Sequence, residues 1–258
     1  MVRPKKFLGQ HFLRDDNIAK KIVHSLRLKP GIVILEIGPG MGVLTRYLLA
    51  IPDTELYAIE IDRESAAYLR ERYARLNDHL IEGDFLGFDM KALPAPVSII
   101  GNFPYNISSQ IFFRVLEYRD RVDQVVGMVQ KEVADRIASP HGNKTYGILS
   151  VQLQTFYGIE LLFKVPPGVF VPPPKVMSAV IRLTRNSRTA LDCDEELFVE
   201  VVRQGFNNRR KKLRNALKNL NLPAEISALS LLDNRAEQLS VEQFIQLTLL
   251  IENSRADH

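Results

Sequence analysis

The residues best suited to do chemistry lie in the stretch Val97 to Ser109, which begins as a β-branched apolar run typical of a buried strand. Pro104 has no N–H and disfavours helix at the preceding Phe103, so the carbonyls here are expected to point into a pocket. The amide oxygen of Asn102 and the carbonyl of Phe103 can accept both hydrogens of one amine, and Tyr105 offers a flat surface. The stretch indicates a site for a nucleobase with an exocyclic amine; the alternative is an ordinary proline turn.

Acidic side chains follow two earlier predicted strands. The strand Ile32–Ile37 runs through Glu36 into the loop Gly38-Pro39-Gly40-Met41-Gly42, and a helix follows. Strand, glycine-rich turn and helix form the first unit of a nucleotide-binding α/β sheet. Because a diphosphate requires a helix N-terminus free of negative charge, Glu36 favours a cationic cofactor over a dinucleotide. Glu60, at the end of the second strand, is placed to hold a ribose diol.

Two aromatic residues are candidates to cover planar ligands. Phe85 follows Asp84 after the third predicted strand, where the carboxylate could accept from an adenine amine; a simple turn is the alternative reading of Asp84. Phe170 lies among five prolines in residues 165–176. A stiff loop that presents an aromatic ring loses little entropy when a base stacks on it. We therefore expect Tyr105 and Phe170 to enclose a base that has left its stack.

Strands alternate with helical patterns up to about residue 185, which predicts a mostly parallel sheet with helices on both faces. After Asn186 the pattern is purely helical, with segments Glu195 to Phe206, Arg209 to Leu220 and Ser240 to Glu252. The predicted domains are thus residues 1–185 and 186–258. Seven basic residues and no acid lie between positions 203 and 218, which favours contact with an RNA backbone over a solvated helix face. The RNA-binding candidates are Arg209, Arg210, Lys211, Lys212, Arg214 and Lys218.

Composition narrows the class of protein. The 258 residues are 46% hydrophobic and 25% charged, which is ordinary for a globular chain, and no run is apolar enough to span a membrane. The only cysteine is Cys193, so there is neither an intrachain disulfide nor a cysteine-based metal site, and a cytoplasmic location is expected. The net charge of +4 permits a nucleic-acid partner, and basic residues near the N-terminus (Arg3, Lys5, Lys6 and Arg14) could contact phosphate.

Taken together, these segments resemble the ribosomal RNA adenine dimethyltransferases of the KsgA type. The matching pieces span nearly the whole chain in the family's order. They are Gly9-Gln10-His11-Phe12-Leu13, the Glu36–Gly42 loop, Glu60, Gly83-Asp84-Phe85, the Gly101–Ser108 stretch, Val169 to Leu183, and Phe206 to Leu217. Two departures are His11, where the family more often has Asn, and Phe103, where it more often has Leu. Only the carbonyl of Phe103 is needed, so no consequence is expected there.

The resemblance implies a Rossmann-like S-adenosylmethionine-dependent methyltransferase sheet with a small all-α C-terminal domain that binds rRNA. It implies double methylation of two adjacent adenines near the 3′ end of 16S rRNA, within a pre-30S particle, by a monomer with no metal. Catalysis is then expected from Asn102, Phe103, Pro104, Tyr105 and Phe170. The implied cofactor contacts are His11, Leu13, Gly38, Glu60, Asp84 and Asn102.

Three other functions remain open. A related enzyme of the macrolide-resistance type methylates an adenine of large-subunit rRNA and shares the glycine loop and the Asn-x-Pro-Tyr motif. An assembly factor could keep the fold and rely little on catalysis, although the intact Asn102, Glu60 and Asp84 argue for activity. A nucleotide-dependent dehydrogenase is disfavoured by Glu36 and by Val43, which stands where the third glycine of a dinucleotide fingerprint would be.

Overall fold

The computed structural model describes residue 2 and residues 4–256, and Arg3 of the predicted basic arm lies outside them. The chain forms two compact units. The sheet unit consists of Met1–Ala134 with Gly158–Arg185, and the helical unit consists of Asp135–Tyr157 with Asn186–His258. Among the residues that the structure describes, no helix is both long and apolar enough to cross a bilayer.

A seven-stranded mixed sheet confirms the predicted α/β class. Its strands follow the order β4-β3-β2-β5-β6-β9-β7. The ladder from β4 to β6 is parallel, whereas β9 runs antiparallel to β6. The strands are β2 (Ile32–Ile37), β3 (Thr54–Glu60), β4 (Leu80–Glu82), β5 (Val97–Asn102), β6 (Val122–Gln130), β7 (Tyr157–Val165) and β9 (Ser178–Arg185). The short strands β1 (Phe12–Leu13) and β8 (Phe170–Val171) form a separate antiparallel pair.

Two of the first helices, α1 and α3, begin at aspartates whose side chains cap them. Asp15 Oδ1 accepts from the N–H of Ile18 at 2.9 Å, and an Asp62 carboxylate oxygen accepts from the N–H of Glu64 at 3.2 Å. Helices α1 to α5 are α1 (Asp16–Val23), α2 (Thr45–Leu48), α3 (Arg63–Arg72), α4 (Ser108–Glu117) and α5 (Lys131–Ala138). The first helix was predicted to run from Asp15 or Asp16 to Leu26; in the structure it ends three residues earlier, at Val23.

The helical unit includes more of the chain than the sequence predicted. Its helices are α6 (Ile148–Phe156), α7 (Glu195–Asn207), α8 (Leu213–Ala216), α9 (Ala224–Ser227) and α10 (Val241–Ala256). The predicted boundary at residue 185 assigned residues 135–157 to the sheet domain. The structure places them in the helical unit, because Tyr146 and Val151 are buried in its core with Phe206 and Phe244.

The predicted helix from Arg209 to Leu220 does not form as one element. Residues 208–212 make a turn, α8 covers only Leu213–Ala216, and a 3-10 turn covers Lys218–Leu220. The basic residues at 210, 214 and 218 therefore do not share one helical face. Tertiary packing decides this conformation, since the Leu213 N–H bonds the Asn234 carbonyl at 2.8 Å instead of continuing a helix.

Backbone hydrogen bonds secure the chain where it leaves the parallel strands. The N–H of Gly38, after β2, donates to the Ile59 carbonyl of β3 at 3.0 Å. The N–H of Phe103, after β5, donates to the Met128 carbonyl of β6, also at 3.0 Å. Since the carboxyl ends of parallel strands meet at one edge, the loops that follow β2, β3, β4 and β5 lie together there.

The ring of Phe103 is held between glycines. It is 1% exposed and meets Phe112 edge-on at a centroid distance of 5.8 Å. A Cβ added to Gly127 would lie 2.5 Å from Phe103 Cε2, and one added to Gly101 would lie 2.6 Å from the Ile37 carbonyl oxygen. The phenyl ring of Phe103 is larger than the leucine side chain expected from the resemblance. Positions 101 and 127 must therefore be glycine, a packing consequence that the sequence did not reveal.

We predict that Gly127→Ala lowers the free energy of unfolding by about 1–3 kcal/mol, because the added methyl overpacks the Phe103 ring. Urea unfolding measures this loss. Gly87→Ala is the matched control, since a Cβ at Gly87 meets no atom within 4 Å. Adding Phe103→Leu to Gly127→Ala should recover most of the loss; an equal loss in both backgrounds would show that the ring is not the cause.

Candidate active site

Two adjoining cavities open at the carboxyl edge of the sheet. The first, of about 200 Å³, brings together five of the predicted cofactor contacts: His11, Gly38, Glu60, Asp84 and Asn102. The second, of about 700 Å³, is lined by Leu13 and Glu36. Both cavities share Phe12, Gly38 and Asn102 as lining residues. Asn102 is therefore the one predicted catalytic residue that faces both spaces.

The amide of Asn102 has a fixed orientation. Its Nδ2 donates to the main-chain carbonyl of His11 at 2.8 Å. A carbonyl can only accept, so the nitrogen must face His11 and the oxygen must face away. Among the residues that the structure describes, no donor bonds Asn102 Oδ1. The side chain is thus a preorganised acceptor at the wall of both cavities.

The next residues of the motif are also placed by tertiary contacts. Pro104 and Tyr105 line the first cavity, and the Pro104 carbonyl accepts from the Ile107 N–H at 3.2 Å. The hydroxyl of Tyr105 lies 2.5 Å from Ser178 Oγ, and its burial raises the pKa of the phenol. The Tyr105 ring lies 5.2 Å from the His11 ring with a 30° tilt. Both rings therefore belong to residues that line the first cavity, although the sequence alone did not predict that they are paired.

The expected stacking role of Phe170 is wrong for this conformation. Phe170 is 2% exposed, packs in the core with Leu13, and lines neither cavity. In the β1–β8 ladder it stands opposite Leu13, while Val171 stands opposite Phe12. Alternate residues of a strand point to opposite sides, so the strand that turns Val171 toward the second cavity turns Phe170 into the core. The proline-rich loop could not reveal this register.

His11 contributes through both its backbone and its ring. Its carbonyl holds Asn102, and its Nδ1 lies 2.7 Å from the Pro172 carbonyl. Because that carbonyl only accepts, Nδ1 carries a hydrogen and Nε2 is the remaining acceptor of the neutral ring. The family that the sequence resembles more often has Asn at this position. The contact with Asn102 does not depend on that side chain, because the main-chain carbonyl of residue 11 makes it.

Glu60 holds the glycine loop by accepting a hydrogen bond from its backbone. Its Oε2 accepts from the Gly40 N–H and its Oε1 from the Asp62 N–H, each at 2.9 Å. The side chain is 3% exposed, and this burial raises its pKa while the backbone donors lower it. Each oxygen keeps a further lone-pair position, so the carboxylate can also accept from a diol.

Asp84 performs the role of a turn residue and also faces the cavity. Its Oδ1 accepts from the Leu86 N–H at 2.9 Å, and the ring of Phe85 beside it is buried. The two readings of Asp84 are therefore compatible, since capping uses one oxygen and the residue still lines the first cavity.

The N-terminal residues make two contacts with the edge of the sheet that the sequence did not predict. Lys5 Nζ lies 2.5 Å from Asp62 Oδ1. Burial acts to raise the pKa of Asp62, but this ion pair and the hydrogen bonds from Glu64 and Ser65 lower it overall. The Phe12 ring packs on the glycine loop, because a Cβ added to Gly40 would lie 2.9 Å from Phe12 Cε1. Gly40 also has φ +56°, which glycine adopts readily. No local pattern marks these contacts, since the partners lie far apart in the chain.

Glu36 is a buried acid among the lining residues of the second cavity. It is 1% exposed, and Thr45 Oγ1 donates to its Oε2 at 2.6 Å. Burial, aided by the nearby charge of Glu60, raises the pKa of Glu36 to about 8, against the opposing effect of the Thr45 hydrogen bond. A buried carboxyl of this kind favours a cationic neighbour and stays protonated without one.

The predicted RNA contacts of the helical unit divide into two groups. Arg209 Nη2 donates to the Lys144 and Tyr146 carbonyls at 2.7 and 2.6 Å, so this residue secures a loop. Lys212 and Arg214 pair with Asp233 at 3.4 and 3.2 Å. Arg210, Lys211 and Lys218 are exposed, and no side-chain partner is formed among the residues that the structure describes. These three are named the free basic residues below.

Comparison with known proteins identifies the family. The model of the family described as ribosomal RNA adenine dimethylase matches residues 1–253. A "Ribosomal RNA small subunit methyltransferase A" of Cytophaga hutchinsonii is 55% identical over 97% of this chain and 98% of its own length. The protein of the same name from Bacteroides thetaiotaomicron is 52% identical over 98% of this chain and 96% of its own length.

Solved structures agree with this assignment. A dimethyladenosine transferase from Plasmodium falciparum superposes with a TM-score of 0.81 at 26% identity, over 95% of this chain and 98% of that one. The 23S rRNA methyltransferase ErmE superposes with a TM-score of 0.70 at 25% identity, over 92% of this chain and 99% of that one.

We predict that the free energy of unfolding falls by a few kcal/mol as pH rises from about 4.5 to about 8, through the raised pKa of Glu36. In that window the folded state keeps a proton that the unfolded state releases, so the stabilisation is present below the unfolded pKa and is lost as pH approaches the folded one. Urea unfolding at pH 5.5 and 8.5 measures it. Glu36→Gln should lose less stability than the unmodified chain over this range, whereas exposed Glu71→Gln should lose the same; equal losses in all three would be inconsistent with a buried proton.

Proposed function

The chain belongs to the ribosomal RNA adenine dimethylase family, and from that premise we propose that it transfers methyl groups from S-adenosylmethionine to the 6-amino groups of two adjacent adenines near the 3′ end of 16S rRNA. The observation that carries the proposal is the acceptor geometry of Asn102, whose Nδ2 is engaged by the His11 carbonyl. An exocyclic amine presents two hydrogens, which the Asn102 oxygen and the Phe103 carbonyl can accept.

The residues present fit the cofactor. Glu60 can hold the ribose diol, and Asp84 with Phe85 can hold the adenine, because all three line the first cavity. His11, Gly38 and Asn102 also line that cavity, and Leu13 and Glu36 line the adjoining one. A buried acid in the second cavity suits a cofactor that carries positive charge. When bound, S-adenosylmethionine supplies an electrophilic methyl group on a sulfonium.

The chain's own contribution is to hold and polarise the amine. The lone pair of an adenine 6-amine is delocalised into the ring, so the nitrogen is a poor nucleophile. Two hydrogen bonds to carbonyl oxygens favour a pyramidal nitrogen and stabilise the positive charge that develops on it. The bound cofactor would supply the methyl group to this nitrogen and would keep the electron pair of its carbon–sulfur bond, and the nitrogen's proton would pass to water. No general base is required, and positioning is the main catalytic contribution.

We propose the small subunit as the substrate, within a pre-30S particle in the cytoplasm, with the enzyme acting as a monomer. The two relatives of that name, at 55% and 52% identity, support this choice. The likeness to ErmE, at 25% identity, keeps a large-subunit adenine as the second candidate. The free basic residues Arg210, Lys211 and Lys218 are proposed to contact the RNA backbone, since they are the three of the six RNA-binding candidates whose side chains have no partner in the part of the chain that the structure describes.

We predict that Asn102→Ala reduces methyl transfer to undermethylated small subunits by at least about 100-fold, because the main acceptor for the developing ammonium is lost. Transfer of labelled methyl groups measures the rate, and thermal unfolding should show an intact fold. Exposed Asn77→Ala in the same unit is the matched control and should keep full activity. Unchanged turnover of the Asn102 variant would contradict the acceptor role, and transfer to large subunits alone would select the second candidate.

A further inference from the structure

The N-terminal segment, defined as residues 5–13, is attached to the sheet edge on two sides of the first cavity. Its residues that line the cavity are Leu8, Gly9, Gln10, His11 and Phe12. The remaining lining residues lie at or after the ends of β2, β3, β4 and β5. Because β2 lies between β3 and β5 in the sheet, a segment fixed near the ends of both outer strands must cross this edge.

On the β5 side, the segment is held through its backbone. The main-chain carbonyl of His11 accepts from Asn102 Nδ2 at 2.8 Å. Gly9 approaches Asn106 so closely that a Cβ added to Gly9 would overlap Asn106 Oδ1. Gly9 also has φ +64°, which glycine adopts readily. Since the segment contributes main-chain atoms to both contacts, they do not depend on the identity of a charged side chain.

On the β3 side, the segment is held by the ammonium group of Lys5. Its Nζ lies 2.5 Å from Asp62 Oδ1 and 3.2 Å from Glu64 Oε1. The side chain of Asp62 is 1% exposed and that of Lys5 is 28% exposed, so this ion pair is largely shielded from water. The main-chain N–H of Lys5 donates to Gln10 Oε1 at 2.8 Å. The lysine that reaches across to Asp62 is therefore also bonded to a residue of the cavity lining.

The adjacent Lys6 provides an internal comparison. It is exposed, and its side chain has no partner in the part of the chain that the structure describes. Both lysines belong to the same turn, in which the Leu8 N–H donates to the Lys5 carbonyl at 3.1 Å and the Gly9 N–H to the Lys6 carbonyl at 3.0 Å. The two side chains therefore share a local backbone and differ in whether the ammonium group binds a carboxylate across the edge.

The Lys5 attachment lies beside the acid assigned to the ribose. Glu60 Oε1 accepts from the Asp62 N–H at 2.9 Å, so the two carboxylates are linked through one backbone bond. The N-terminal segment lines one part of the first cavity and Glu60 lines another. A cofactor bound there would contact both, and its release would be easier whenever the segment moved away from the β3 side.

We propose that Lys5 is a positioning residue of the cofactor site: its ion pair with Asp62 keeps the N-terminal segment against the first cavity and slows the release of the bound nucleoside. The inference rests on the proposed function in one respect, namely that the ligand of this cavity is S-adenosylmethionine or the S-adenosylhomocysteine that it leaves. Breaking an ion pair with a buried partner is costly, because a charge then remains uncompensated. The segment therefore detaches rarely while Lys5 is present.

The dissociation rate of labelled S-adenosylhomocysteine from the full chain, without RNA, tests the proposal directly. Excess unlabelled compound is added, and the label that stays bound is followed by rapid filtration. We expect Lys5→Met to raise the rate constant at least about fivefold, because the ion pair is lost while the aliphatic stem is kept. Lys5→Arg keeps the charge and should restore slow release. Lys6→Met is the matched control and should release the compound at the rate of the unmodified chain.

Amide hydrogen exchange separates positioning from a purely structural role. Residues 6–13 should exchange faster in Lys5→Met than in Lys6→Met, since the segment detaches more often. A lower unfolding temperature of Lys5→Met with unchanged release and unchanged exchange would overturn the proposal. If the unmodified chain bound no S-adenosylhomocysteine, the proposed function would fail instead, and the exchange of residues 6–13 would still decide whether Lys5 holds the segment.

Discussion

The hydrogen bond between the Asn102 amide and the His11 carbonyl is the constraint on which the candidate site depends. It joins the end of β5 to an N-terminal segment 91 residues away and determines which way the amide oxygen points. Without it, either amide atom could face the cavities, and an amine would meet a donor as readily as an acceptor. The N-terminal segment is therefore part of the chemistry and not only a cover for the sheet.

The carboxyl edge of the sheet contributes two buried acids to the candidate site. Glu60 is engaged by two main-chain N–H groups, while Glu36 is engaged by a single hydroxyl and has its pKa raised to about 8. The two carboxyls lie on neighbouring parallel strands; burial raises the pKa of both, and the charge of Glu60 raises that of Glu36 further. A cationic ligand would favour the ionised form of these buried acids, which is costly when no such ligand is bound.

Local patterns in the sequence predicted what local physics decides. The apolar runs gave β2 over Ile32–Ile37 as predicted, and they gave β5 two residues short of its end at Asn102. The predictions that failed concern residues whose conformation depends on partners far away in the sequence. Phe170 was expected at the site, but pairing with β1 turns it into the core. The helix predicted from Arg209 is broken by the bond from Leu213 to Asn234, and the Lys5–Asp62 and Tyr105–Ser178 contacts have no local signal at all.

The most direct test is a crystal structure of the protein with S-adenosylhomocysteine and adenosine bound together. We predict that the 6-amino nitrogen of the adenosine lies within hydrogen-bond distance of both Asn102 Oδ1 and the Phe103 carbonyl oxygen, with the Asn102 Nδ2 still on the His11 carbonyl. An adenosine amine bound elsewhere in the cavities, or an Asn102 amide turned so that its nitrogen faces the nucleoside, would contradict the central claim.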